Sequence, residues 1–248
     1  MKEASTQAQR PAPLPAPDMQ EYGARQNDQP QVSHRRLYMQ LQVFTGCKDI
    51  GQVKTSLEQA QCECVLYLNV NDPQGFGVLF FAEDPTYFVT TVRTLLATAP
   101  FSTLTLLPEM TMFGRTYGTG RERELEEWLL EKPKKNVLDP EWAWAIWYPL
   151  RRKAEFGLLT GPEQGKILGE HAMIGRSYGE AGLARDVRLA CHGLDKNDNE
   201  FVIGLIGKEL APLSKIVQDM RKTQQTAKYI QSLGPFFVGR ATYQSAFK

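Results

Sequence analysis

The chain has 248 residues, 42% of them apolar, a formal net charge of +1 and four cysteines. That length and apolar share suffice for a substantial core, as one large domain or two small fused ones. A balance this close to neutrality supplies no field that would attract nucleic acid or an anionic membrane, and no run approaches the roughly 18 apolar residues of a membrane helix. The N-terminus lacks the basic start and apolar stretch of a signal peptide, so a cytoplasmic protein is expected. Cys47, Cys62, Cys64 and Cys191 contain no CxxC pair. Cys62 and Cys64 share a strand face with no nearby His or Cys to complete a tetrahedral set, and read as small core residues of a reducing compartment.

Residues 1–33 carry Pro11, Pro13, Pro15, Pro17 and Pro30 among Gln, Ala and Ser, which predicts a disordered tail. From Arg36 the apolar period switches between two and 3.6. A strand over 36–45 leads to a helix over 48–60, strands over 62–70 and 77–82, a helix over 85–98 with Pro85 at its first turn, and strand-like segments within 102–116. After an acidic helix over 122–131 and the Lys/Pro-rich link KPKKN, the cycle restarts. A strand over 142–150 precedes a helix that Pro162 and Glu163 start well, then strands over 184–191 and 200–206, a helix over 209–231, and a last strand after Gly234. The predicted organisation is a first repeat over 34–131, a linker over 132–141 and a second repeat over 142–248.

Each half reads βαββαβ, the ferredoxin-like unit. A sheet with helices on one face leaves its other face uncovered, and two such sheets can bury those faces against each other. The expected fold is therefore α+β: two fused ferredoxin-like repeats whose sheets form a β-barrel with helices outside. MFGRTYG (112–118) and MIGRSYG (173–179) look alike but occupy different places in the two cycles, and the likeness is read as coincidence.

In the helix of the second repeat, Ile167, Leu168, His171, Ile174 and Tyr178 fall on one stripe at helical spacing. A histidine there must find a partner, either a backbone carbonyl in the core or a metal, with neutral imidazole as donor. Tyr148 precedes three consecutive cations, Arg151, Arg152 and Lys153, followed by Phe156. Such a run is either a solvated strand end or a clamp for carboxylates. His192, in CHGLD, reads as a turn residue, and His34 lies in the tail. Nothing resembles a phosphate loop, a Ser-His-Asp set or a dinucleotide-binding glycine fingerprint.

The series YPLRRKAEFGLL (148–159), EHAMIGRSYG (170–179), HGLDKNDNEF (192–201) and DMRKTQQTAKYIQSLGPFFVG (219–239) resembles the chlorite dismutase-like heme proteins, which include the coproheme decarboxylases. The resemblance covers about Tyr148 to Gly239; the first half matches in topology. It implies two ferredoxin-like repeats, a heme cofactor or coproheme substrate with its iron, and a homo-oligomer, since longer-chain members form ring-shaped pentamers. His171 matches the proximal iron ligand. Tyr148 matches the tyrosine that, in the decarboxylases, becomes a radical and takes hydrogen from a propionate. Arg151, Arg152 and Lys153 overlap the segment that holds propionates, with Phe156 where many relatives carry a tryptophan.

Two departures stand out. Thr223, Gln224 and Gln225 occupy the stretch where the family often has a glutamate accepting the proximal histidine's second N–H. An amide is a weaker acceptor and would leave less electron density on iron. On the distal side, where relatives use an arginine or a glutamine, the matching position falls on Asp186. Arg188 shares its strand face and Arg185 points the other way, an assignment that a register slip of one residue would reverse. The implied activities are peroxide-dependent decarboxylation of coproheme, chlorite decomposition with Arg185 or Arg188 as the distal cation, or heme binding for sensing with little catalysis.

Overall fold

The computed structural model describes residues 14–246. Its first elements are β1 (Glu21–Gln26) and β2 (Gln29–Ser33), a hairpin that turns on Asn27 and Asp28, both at positive φ. The disorder expected through residue 33 therefore does not extend over 21–33; residues 1–13 lie outside the described residues. The hairpin escapes a pattern search because its strands are mostly polar. It is held by Glu21 and Ser33, which are buried, rather than by an apolar face.

The first repeat then runs β3 (Tyr38–Thr45), α1 (Ile50–Ala60), β4 (Cys64–Asn69), β5 (Phe76–Ala82), α2 (86–96), β6 (Thr105–Leu106) and β7 (Met112–Arg115). Asp49 caps α1 by accepting the Gly51 N–H at 2.9 Å. A helix α3 (125–138) bridges to the second repeat, which runs β8 (Trp144–Arg152), α4 (Ala154–Gly157), α5 (Gly161–Glu180), β9 (Arg185–Ala190), β10 (Phe201–Gly207), α6 (Leu210–Met220), β11 (Ile230–Leu233) and β12 (Phe237–Gln244).

The expected linker over 132–141 is thus mostly helix, with Pro133, Asn136, Val137 and Leu138 buried. A wide helical turn over Glu127–Glu131 just before Pro133 accommodates the N–H that proline lacks. The helix expected over 209–231 stops at Met220, where the Thr223 hydroxyl donates to the Met220 carbonyl at 2.8 Å. The chain then makes a wide turn over Gln225–Tyr229 and enters β11.

Strand order explains the architecture. The first sheet is ordered β7-β3-β5-β4 and the second β12-β8-β10-β9, the same arrangement twice. The two sheets join edge to edge: β4 pairs with β12 over a long ladder, and β7 meets β9 at the pair Arg115 and Ala190. Eight antiparallel strands close into a ring, with β11 added to β8 and β6 to β3. Met39, Leu41, Val65, Tyr67, Trp147, Val187 and Phe237 fill the interior.

Outside the ring, α1 and α2 cover the first sheet through Val53, Leu57, Phe88 and Val92, and α6 covers the second through Leu213 and Ile216. Among the described residues no helix is long and apolar enough to cross a membrane. Side chains alternate on β8, so Ala145 and Trp147 point inward while Ile146, Tyr148 and Leu150 point out toward α6.

Trp147 is fully buried, and a Cβ at Gly204 would stand 2.5 Å from its ring, so the two positions form a large–small pair. Trp147→Ala is expected to lower unfolding free energy by about 3–5 kcal/mol, read from urea denaturation. A loss below about 1 kcal/mol would mean that the barrel interior does not depend on this contact.

Candidate functional site

Helix α5 opens on a capping box in which the Glu163 carboxylate accepts from the Thr160 N–H at 2.8 Å and hydroxyl at 2.7 Å. It is 20 residues long, yet Ile167 is its one buried residue. Ile174 and Tyr178 pack partly against the outer face of the second sheet, and the Tyr178 hydroxyl donates to Asp219 of α6 at 2.8 Å. Leu168, expected on the same stripe, is instead exposed. A helix this long normally draws its stability from a well-covered apolar face, and α5 covers little of one.

His171 sits at the middle of α5, and its Nδ1 is buried with no hydrogen-bond partner. Burial, with Arg188 adding to it and Asp186 opposing, holds its pKa below the ordinary 6.5, so the ring is a neutral donor at neutral pH. Among the described residues no three His, Cys, Asp or Glu side chains gather into a metal cluster. A single imidazole would suffice for an iron whose remaining protein-independent ligands come from a tetrapyrrole. An orphaned imidazole under a loosely seated helix fits the group that the sequence resemblance implies.

The facing sheet carries the other residues. Tyr148 on β8 pairs with Ile203 on β10, and Ile203 pairs with Arg188 on β9, so Tyr148, Ile203 and Arg188 form one row across three strands. In the next row Ile146, Leu205 and Asp186 line up likewise. Arg188 Nε meets Asp186 Oδ2 at 2.9 Å. Arg185 is one residue out of phase and lies elsewhere, bonded to Asp139 at 2.8 Å with its guanidinium 3.9 Å from the Trp142 ring. The register therefore puts Asp186 and Arg188 on the face of Tyr148 and excludes Arg185.

Tyr148 is 6% exposed and stacks on Phe236 at 4.7 Å. Burial first, then Asp186, pushes its phenol above the usual range, against the pull of Arg221. The three cations after it diverge. Arg151 turns to the loop after β9, donating from Nε to the Asp198 carbonyl at 2.7 Å and from its other end to the Asn197 carbonyl. Arg152 shares the face of Tyr148, pairs with Glu200 at 3.1 Å and lies between Phe156 and Phe201, 4.6 and 4.7 Å from their rings. Lys153 is exposed, its backbone N–H held by the Tyr229 carbonyl at 2.7 Å. Phe156 is buried against Tyr229.

Gln224 does not serve His171 as expected. Its amide groups donate instead to the neighbouring Glu170, from Nε2 at 2.6 Å and from the backbone at 3.0 Å. The buried amide oxygen without a partner is that of Gln225. His192 stands at a turn beside Gly193, as the sequence suggests, and meets the edge of Phe201. Cys62 and Cys64 are buried free thiols; burial, followed by Cys62, pushes the Cys64 thiol well above its ordinary range.

Some contributors were invisible in the sequence. Asn136, in the supposed linker, donates to the Asp186 carbonyl at 2.9 Å and so braces β9. Trp128 lies 4.7 Å under the Arg188 guanidinium. Arg221, which faces Tyr148 electrostatically, sits inside the DMRKT segment and could have been found there. A cleft of about 730 Å³ is bordered by Trp128, Lys132, Asn136, Asp139 and Arg185.

The model of the chlorite dismutase family matches residues 126–242. A heme-binding protein from Thermus thermophilus superposes with a TM-score of 0.63 at 17% identity, covering 92% of this chain and 94% of that one. Chlorite dismutase from Candidatus Nitrospira defluvii, in complex with imidazole, does so with 0.63 at 15%, covering 84% of this chain and 91% of that one. Fold and family model agree: the chain has the chlorite dismutase-like fold, and the stretch that carries Tyr148, His171, Asp186 and Arg188 is chlorite dismutase-like in sequence as well.

Proposed function

We propose that the chain binds a tetrapyrrole of the heme class between α5 and the outer face of the second sheet, with His171 as iron ligand. We infer further that it acts as a heme-dependent oxidoreductase, removing coproheme propionates with hydrogen peroxide. The observation that carries this reading is the row Tyr148, Ile203, Arg188 on the sheet face opposite the helix of His171. The overall change balances: one propionic acid side chain and one hydrogen peroxide give a vinyl group, carbon dioxide and two waters. When bound, the iron would activate the peroxide, which is the oxidant.

The chain's own groups supply the rest. Burial and Asp186 keep Tyr148 a neutral phenol, so its O–H can lose a hydrogen atom and recover one from a propionate methylene. Arg152, with Lys153 and Arg221 at the rim, offers cations to the carboxylates. Arg151 is committed to carbonyls of the loop and acts by holding that loop. Asp186 holds the Arg188 guanidinium in place through their ion pair. His171 Nδ1 and the Gln225 amide oxygen are both buried without a hydrogen-bond partner.

A second reading, chlorite decomposition to chloride and dioxygen, is favoured by Arg188, a cation on the same face that could hold the anion. Its ion pair with Asp186 weighs against that role.

His171→Ala should abolish the shift of the hemin absorption band on binding, whereas Tyr148→Phe should bind hemin within about threefold of wild type. In the same Tyr148→Phe variant, loss of carboxyl groups from coproheme under peroxide, followed by mass spectrometry, should fall at least about a hundredfold. Unchanged decarboxylation would remove Tyr148 from the chemistry, and undiminished chlorite turnover would favour the second reading.

The depressed pKa of His171 also sets a pH dependence. As pH falls through 6.5 the unfolded chain takes up a proton that folded His171 resists, so stability is full above that value and declines below it. The slope belongs to one proton, at most about 1.4 kcal/mol per pH unit. In His171→Leu apoprotein, denaturation curves between about pH 6.5 and 5 should lose that part of the slope. An identical slope in both proteins would show that His171 does not titrate as described.

A further inference from the structure

The N-terminal hairpin is tied to one short loop, residues 116–122, that follows β7. Glu21, 8% exposed, accepts from Arg36 at 2.7 Å, from Arg115 at 2.9 Å and from the Gly118 N–H at 2.9 Å. Gly120 N–H donates to the Tyr22 carbonyl at 3.0 Å, and Ala24 N–H to the Glu122 carbonyl at 2.8 Å. The approach is too close for side chains: a Cβ on Gly118 would lie 2.5 Å from the Tyr22 carbonyl oxygen, and one on Gly23 would lie 2.9 Å from that of Glu122. Hairpin and loop are therefore built as one unit.

That loop carries Tyr117. The β7–β9 pairing of Arg115 with Ala190, continued by two residues, sets Tyr117 opposite Arg188. Its ring packs on Phe201 at 5.7 Å, on the residue that also stacks with Arg152. Its carbonyl accepts from Trp128 Nε1 at 3.3 Å, and Trp128 lies under Arg188. Tyr117 thus extends the row Tyr148, Ile203, Arg188 by one residue from the other half of the chain.

We propose that Glu21 is a positioning residue for the site: by holding the Gly118 amide it fixes the loop that sets Tyr117 beside Arg188 at the edge of the tetrapyrrole cleft. The phenol of Tyr117 is there a hydrogen-bond donor to an anionic group held by Arg152 or Arg188. The inference rests on the tetrapyrrole reading for the identity of that cleft, and on the hairpin geometry for the role of Glu21. The hairpin, remote in sequence from every other site residue, then completes the site from outside the barrel.

The test uses the full chain in two arms. In apoprotein, Glu21→Gln should speed amide hydrogen exchange over residues 117–122 at least about tenfold while the amides of β3 and β5 stay protected. Gly118→Ala, which pushes the loop off the Tyr22 carbonyl, should do the same. In hemin titrations, Glu21→Gln and Tyr117→Phe should each weaken binding about fivefold, and the double variant should be no weaker than Tyr117→Phe alone. Unchanged exchange at 117–122, or losses that multiply in the double variant, would overturn the proposal. If wild type takes up no hemin, the tetrapyrrole reading fails, and the exchange arm alone still decides whether Glu21 sets the loop.

Discussion

The structure depends on the mutual burial of the two sheets. Once the inner faces of both repeats are turned toward each other around Trp147, Tyr67 and Phe237, each strand of the ring has one face committed to the barrel interior and the other turned outward. On β8 that commitment decides which side chains face outward. Trp147 is locked inward by its contact with Gly204, so Tyr148 must face α5 and α6, and Arg152 follows it four residues on. Pairing through Ile203 then brings Arg188, from a third strand, into line with Tyr148. A one-residue slip of β9 would send Arg185 to that face instead and leave the site without its Arg188–Asp186 pair.

The outer face of the second sheet is covered unequally. Helix α6 buries Leu213 and Ile216 against it, whereas α5 buries Ile167 alone and holds His171 with an unpaired, buried ring nitrogen. An unpaired buried polar group costs on the order of 1–3 kcal/mol, a cost that a stable fold carries where the group has a task. The strands opposite are braced by contacts from elsewhere in the chain: Asn136 on the Asp186 carbonyl, Trp128 under Arg188, and Glu21 of the hairpin on the Gly118 amide next to Tyr117.

Much of this was legible in the sequence, and the reasons are physical. Switching of the apolar period gave the order of strands and helices, because both faces of each sheet are buried in a regular alternation, and that order repeated twice implies the ring. The hairpin over 21–33 was not legible, since Glu21 and backbone pairing hold it in place of an apolar stripe. Helix α3 was hidden by Pro133 and three lysines, which read as a link until the wide turn before the proline is seen. Within the site, His171, Tyr148 and Arg152 could be picked out from local pattern and resemblance. The choice between Arg185 and Arg188 needed the strand register. Tyr117 needed the fold, because it arrives from the first repeat. The stretch Thr223, Gln224 and Gln225 could be named but not resolved, because residue order alone cannot tell that Glu170, next to the histidine, captures the Gln224 amide.

The most direct test is a crystal structure of the protein saturated with hemin. The expected result has the iron on the Nε2 of His171, the ring lying between α5 and the face formed by Tyr148, Ile203 and Arg188, and a propionate within reach of Arg152. Hemin seated in the cleft beside Trp128 and Arg185, or iron bound by any residue other than His171, would contradict the tetrapyrrole site described above.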